Sequence, residues 1–201
     1  MNRRNIRILT LIACICVACE NSNDKSNDLT FPVNIFSSEN ETDEFYRGVV
    51  TNGLNELQEK SLSIDGEAEF RLTVFPSNSN KFSIRVGLDQ RDSSVQLVYK
   101  RLEMDGTTHK EIDIFLSKKV GRFENPEAYS RIYKFVNQME FWDLNNEWQC
   151  DGADGKIYVL EGVENGQYHL ICRWSPEVCK FYKWQEFIDF VNFLLELKSI
   201  S

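Results

Sequence analysis

The sequence is poor in the residues that usually announce chemistry. Its 201 residues include two histidines, four prolines and ten glycines. It has no His-Glu-x-x-His run, no nucleophile-elbow motif and no glycine-rich phosphate loop. Zinc-peptidase, elbow-hydrolase and P-loop chemistries therefore lack their signatures. Basic charge is also scarce, with 23 Lys and Arg against 31 Asp and Glu. No basic patch with interleaved aromatics occurs, so no nucleic-acid partner is expected. The segment DGADGK, residues 151–156, has aspartates beside glycine but not the Asp-x-Asp-x-Asp-Gly order of a calcium loop. It reads as a turn, and neither a metal nor a cofactor is expected. No internal repeat is present.

Cysteine is unevenly placed. Cys14, Cys16 and Cys19 crowd one apolar stretch, and only Cys150, Cys172 and Cys179 follow. The crowded stretch begins with Arg3, Arg4 and Arg7, and no acid precedes Glu20. Residues 6–18 are apolar apart from Arg7 and Thr10. A cationic start and a short apolar run make the layout of an export signal, too short for a spanning helix of roughly 20 apolar residues. The segment resembles a bacterial lipoprotein signal, which ends in a lipobox whose cysteine is lipidated and becomes the mature N-terminus. Two windows compete, LIAC at residues 11–14 and CVAC at residues 16–19. LIAC matches the usual letters better. CVAC leaves a normal apolar run and a polar tether. Cys19 is the expected lipidation site and Cys14 the alternative.

This reading divides the chain into a signal peptide at 1–18, a lipidated flexible tether at 19–41 and one domain at 42–201. The tether is rich in Asn, Ser, Asp and Glu, with FPVNIF, residues 31–36, as an apolar interruption that could pin to the domain edge. Removing Arg3, Arg4 and Arg7 leaves 20 basic against 31 acidic residues, a formal charge of −11. Such a domain should stand off from anionic lipid heads while acyl chains hold it, each buried CH₂ contributing about 0.8 kcal/mol. The expected partners are a membrane, through the N-terminal lipid, and an envelope protein. The expected location is the bacterial envelope, outer membrane before inner.

The domain reads as α+β in the order α-ββββ-α-ββ-α, an antiparallel meander plus a C-terminal hairpin with about three helices. Residues 42–60 place Phe45, Val49, Val50, Leu54 and Leu57 near one helical face. Four runs then alternate with period two: Phe70/Leu72/Val74, Phe82/Ile84/Val86, Val95/Leu97/Tyr99 and Ile112/Ile114/Leu116. Asn125, Pro126 and Glu127 open a second helix as N-cap, first residue and first-turn acid. Its stripe is Tyr129, Ile132, Tyr133, Val136 and Met139. The last helix, about 181–198, carries Trp184, Phe187, Ile188, Val191 and Leu195 beside Phe190, Phe193 and Leu197. A stripe that wide suits a helix packed between the sheet and the tether or first helix; an exposed aromatic patch for a partner is the alternative.

The hairpin at 156–174 admits two registers. A two-residue Asn165-Gly166 turn pairs Glu164 with Gln167 and puts Glu161 among apolar residues. A three-residue turn, Glu164-Asn165-Gly166, pairs Val163 with Gln167 and Glu161 with His169. It gathers Glu161, His169 and Arg173 on one face with Val159 and Ile171, and segregates polarity better. The second register is the expected one. It points Cys172 into the core and brings Cys150 and Cys179 to the open end of the hairpin, where a disulfide is expected. The same register makes Glu161, His169 and Arg173 weak candidates for catalysis, with a cross-strand ion pair as the plainer reading. His109 reads as a loop residue.

The run LEGVENGQYHLICRWSP resembles a signature of an uncharacterised family of small exported bacterial proteins. The resemblance rests on Leu160, Glu161, Gly162, Gly166, Tyr168, His169, Arg173, Trp174, Ser175 and Pro176. It implies no activity. The expected function is thus a lipid-anchored binding or accessory domain. An envelope hydrolase using Glu161, His169 and Arg173 is the alternative.

Overall fold

A computed structural model describes residues 41–77, 79–104, 114–145, 154–178 and 182–200. The expected element order is the one observed. Helix α1 spans Glu41–Glu56, and strands β1 to β4 span Ala68–Pro76, Phe82–Asp89, Ser94–Met104 and Ile114–Glu124. Helix α2 spans Pro126–Gln138 and is followed by one 3₁₀ turn, Phe141–Asp143. Strands β5 and β6, Lys156–Glu164 and Gln167–Trp174, lead to helix α3, Trp184–Ile200.

The strands form one antiparallel sheet in the order β4-β3-β2-β1-β5-β6. The first four are the expected meander. Because β4 ends at an edge, the chain must cross the sheet to reach β5 beside β1, and α2 makes that crossing. Its start is built as the sequence indicates. Asn125 accepts the Ala128 N–H at 2.9 Å, and Pro126 sits where no N–H is needed. Of the fourth predicted run, Ile114 and Leu116 lie on β4, whereas Ile112 and His109 lie outside the described residues. Strand β4 continues to Glu124, well past the alternating run.

Both faces of the sheet are covered. Helices α2 and α3 lie on one, over Phe70, Leu72, Ile84, Val86, Leu97, Leu160 and Ile171. Helix α3 buries Phe187, Phe190, Val191, Phe193, Leu194 and Leu197. Phe190 meets Phe70 edge-on and Phe135 of α2 at 5.7 Å between centroids. The wide stripe of α3 is therefore filled from two sides, by the sheet and by α2, and its phenylalanines are core. Among the described residues no helix is long and apolar enough to cross a membrane.

Helix α1 lies on the opposite face. Its Val50 and Leu54, with Leu62, pack on Phe75, Val159, Val163, Leu170 and Cys172. It ends in a Schellman motif. The Glu59 N–H reaches the Leu54 carbonyl at 2.8 Å, the Gln58 N–H reaches the Asn55 carbonyl at 2.9 Å, and Gln58 takes the left-handed φ of 49°. A residue other than glycine there costs about 1–2 kcal/mol. The reversal turns Glu59 towards the sheet, where it is 2 % exposed.

The hairpin register corrects the sequence reading. Asn165 and Gly166, at φ 51° and 77°, form the two-residue turn, and Glu164 pairs with Gln167. Glu161 opposes Leu170, not His169, and His169 opposes Gly162. Polarity segregation misleads here because it presumes one wet face. Both faces of β5 are buried, and Glu161 meets a cation from the neighbouring strand.

Candidate functional site

The three weak catalytic candidates are not brought together. Glu161 projects to the α1 face, and His169 and Arg173 project to the face of α2 and α3. His169 is half-buried. Its Nε2 lies 2.9 Å from the Leu144 carbonyl, an acceptor, so that nitrogen carries the proton. Its ring stands edge-on to Phe141 at 5.0 Å. Burial is the main influence on the imidazole and holds its pKa below the ordinary value, with the Arg173 charge adding to it against the Leu144 carbonyl. Arg173 is buried and donates to the Cys172 and Asn145 carbonyls at 2.9 and 2.5 Å. Together they hold residues 144–145, after the 3₁₀ turn, against edge strand β6.

Several other residues of the signature run have structural roles of the same kind. Gly162 faces the Phe70 and Phe141 rings, which a Cβ would meet below 3 Å. Gly166 supplies the positive φ of the turn. Tyr168 is buried and donates to Glu161 Oε1 at 2.9 Å. Trp174 and Ser175 close over Gly155. The Ser175 N–H donates to the Lys156 carbonyl, and its Oγ accepts the Lys156 N–H. The signature is thus a set of fasteners joining the hairpin to β1, to the loop after α2 and to its own open end. Of DGADGK, residues 151–153 lie outside the described residues, Asp154 and Gly155 lead into β5, and Lys156 is its first residue. Cys172 is a buried thiol whose pKa burial pushes well up. Cys150 and Cys179 lie outside the described residues, as do Cys14 and Cys19.

A different cluster gathers four of the buried charged residues, Glu59, Arg71, Lys100 and Glu161. Arg71, on β1, is fully buried and directly opposite Glu161 in the β1–β5 register. Its Nε and Nη2 donate to the two Glu161 oxygens at 2.7 Å each. Its Nη1 donates to the Lys60 carbonyl at 2.5 Å and lies 3.5 Å from Glu59 Oε2. Burial works against the guanidinium charge, but the Glu161 carboxylate, together with Glu59 and Tyr168, outweighs it and raises the pKa. Tyr168 is held protonated by burial first and by the Glu161 charge second.

Besides Arg71 of β1, two further strands direct side chains at Glu59. Ser83 Oγ of β2 donates at 2.6 Å, Lys100 Nζ of β3 lies at 3.3 Å, and Arg85 Nη1 of β2 lies at 3.8 Å. Lys100 also donates to the Gln58 carbonyl at 2.6 Å. Burial pushes the Glu59 carboxyl up, yet the Ser83 bond and the Arg71, Lys100 and Arg85 charges together hold it below the ordinary range. Arg85 also pairs with Glu69 at 2.8 Å, and there burial wins and raises the carboxyl pKa.

Sequence reasoning found Glu161 and missed Arg71, Glu59, Ser83, Arg85 and Lys100. In β1 and β2 the polar residues alternate with apolar ones and read as a solvated face. The available signal was Glu161 itself, a carboxylate in an apolar run that demands a cation on a neighbouring strand. A surface cleft of about 320 Å³ lies at the turn end of the sheet, lined in part by Glu67, Asp89, Arg91 and Asn165. Its charges are engaged with one another, Arg91 binding Asp89 at 2.8 Å and Glu67 at 3.1 Å.

No family model, no curated protein and no solved structure matches this chain significantly.

Proposed function

We propose that this chain is a lipid-anchored accessory protein of the bacterial envelope that acts by binding. The observation that carries the reading is the N-terminal pattern: three arginines, an apolar run, and two windows of small residues ending in cysteine. The polar tether after Cys19 leads to Glu41, where α1 begins. The acidic domain suits a body held near a membrane by lipid and kept off it by charge. The resemblance of the hairpin signature to exported bacterial proteins agrees with that address. The hydrolase alternative requires Glu161, His169 and Arg173 on one face, and the register separates them.

The test is mass spectrometry of the N-terminal peptide from membranes of an expressing bacterium. The expected peptide begins at Cys19 with a diacylglycerol mass on sulfur. Cys19→Ser should then release unprocessed, unlipidated protein from the detergent phase. A peptide beginning at Cys14 moves the anchor to the other window. An unmodified N-terminus refutes the reading.

A further inference from the structure

The Glu59 carboxylate is surrounded in a way that differs from an ordinary buried ion pair. Its partner is not one cation but a pocket of donors on three elements of the sheet: Ser83 at 2.6 Å, Lys100 at 3.3 Å, Arg71 at 3.5 Å and Arg85 at 3.8 Å. Two of these side chains have partners on the sheet besides Glu59, whereas Ser83 donates to Glu59 and Lys100 to the Gln58 carbonyl of the cap. The Glu161 pair orients Arg71, and the Glu69 pair holds Arg85. Thr73 pairs with Ser83 in the β1–β2 register and so shares its face. Its Oγ1 is fully buried and has no hydrogen-bond partner among the described residues. A spare hydroxyl on the residue paired with Ser83 is what an anion-receiving pocket would hold in reserve.

Glu59 comes from outside the sheet. It sits on residues 57–62, the turn that caps this face after α1, and is delivered by the left-handed Gln58. The first half of α1 carries little into the core: Glu44, Arg47 and Gly48 are exposed, and Phe45 is 64 % exposed. The cap therefore follows a helix whose Glu44, Phe45, Arg47 and Gly48 stand in solvent.

We propose that the sheet carries a carboxylate-binding site formed by Ser83, Arg71, Lys100, Arg85 and Thr73, and that Glu59 of the cap is its internal ligand. A carboxylate supplied from outside binds the same site when Glu59 is withdrawn. The inference deepens the binding reading by naming the ligand's chemistry, and it rests on that reading only for a natural carrier of the carboxylate. The lipid anchor can fail its own test with this site intact, and the site can fail with the anchor intact.

The experiment withdraws Glu59 by mutation and uses acetate as the probe. Thermal unfolding of the full mature chain is followed at pH 7 in sodium acetate and in sodium chloride at equal ionic strength. For Glu59→Ala, Tm should rise saturably with acetate and stay flat in chloride. The wild type and the volume-conserving Glu59→Gln should show no such gain, because their side chains fill the pocket. Adding Ser83→Ala to Glu59→Ala should abolish the rescue. If Glu59→Ala is unfolded in chloride, acetate should refold it, read by far-UV circular dichroism. Failure of acetate to do either, or an equal gain in wild type or Glu59→Gln, overturns the proposal.

Discussion

On one face of the sheet, α2 and α3 bury Phe70, Leu72, Ile84, Val86 and Leu97 against phenylalanines of their own. On the other, α1 and the turn after it bury Val159, Val163 and Leu170, and beside them Glu59, Arg71 and Glu161. The same strands serve both faces, since residues alternate between them. The apolar face is tolerant, because contacts between hydrocarbons are non-directional and any side chain of suitable volume contributes. The ionic face is exacting. Each charge there has lost its water and is stable only while its partners stay in place. The α2–α3 face supplies most of the burial, and the α1 face adds the charge pair between Arg71 and Glu161, opposite one another on β1 and β5.

The sharpest way to break the comparison is Arg71→Ala. It strands Glu161 and Tyr168, frees the Lys60 carbonyl and removes one of the charges on Glu59. A cost of about 5 kcal/mol is expected, at the upper end for breaking a buried pair. Urea denaturation measures it. Replacing both partners, Arg71→Met with Glu161→Leu, should cost less than Arg71→Ala alone. A double variant as unstable as the single one would mean that the pair itself, and not the stranded carboxylate, sets the penalty.

Phe190→Ala tests the other face. Phe190 is fully buried between Phe70 and Phe135, and its loss leaves a cavity without stranding a charge. About 3–4 kcal/mol is expected by the same denaturation. Phe190→Leu should recover much of it. Arg71→Lys should recover little, because a point charge cannot replace a fork bound to two oxygens.

Sequence reasoning read the tolerant face well and the exacting face badly, for the same physical reason. Phe70, Leu72 and Val74 announce a strand by alternation, and Asn125-Pro126 announces a helix start by the groups each can offer the backbone. Such signals are local. Arg71 in EFRLTVF carries no local sign that it will be buried; only its pairing with Glu161, 90 residues on, decides that. The hairpin turn was legible, since Asn165-Gly166 is the strongest short hairpin signal. Polarity segregation points instead to the longer turn, because nothing local to Glu161 shows the cation that meets it. The wide apolar stripe of α3 was legible as core, but α1 was the wrong neighbour, because sequence order does not say on which face a helix lands.

Smaller effects sharpen the comparison through pH. His169 is neutral in the fold because burial depresses its pKa below 6.5. The unfolded chain binds a proton more readily, so the stability this contributes is complete above 6.5 and is lost as pH falls from there through the folded value. Tm should therefore decline as pH falls below 6.5, and His169→Gln, which keeps a donor for the Leu144 carbonyl, should flatten that segment. Glu59 acts at lower pH by the same sign. Its carboxyl is depressed below 4.5, so its contribution is complete above 4.5 and is lost as pH falls through the lower folded value. Glu59→Gln should remove that lower segment and leave the upper one. A variant that flattened both would mean that the two faces unfold as one titrating unit.

The smallest expected effect concerns a charge pair on the same face as Arg71 but in water. Lys81 Nζ lies 2.6 Å from Glu56 Oε2 at the end of α1, with side chains 34 % and 47 % exposed. By distance alone it matches the Arg71–Glu161 bonds. Solvent separates the two cases, because an exposed pair trades hydration for a screened attraction while ordering two long side chains. Lys81→Ala should change stability by about 0.5 kcal/mol or less, and in 1 M salt, where the Debye length is about 3 Å, by nothing measurable. The penalty of Arg71→Ala should survive the same salt, since no ion reaches Glu161 while the cap is closed. If salt erased both penalties alike, the cap would be open in solution often enough for ions to enter, and the charges beneath it would be surface charges in all but average position.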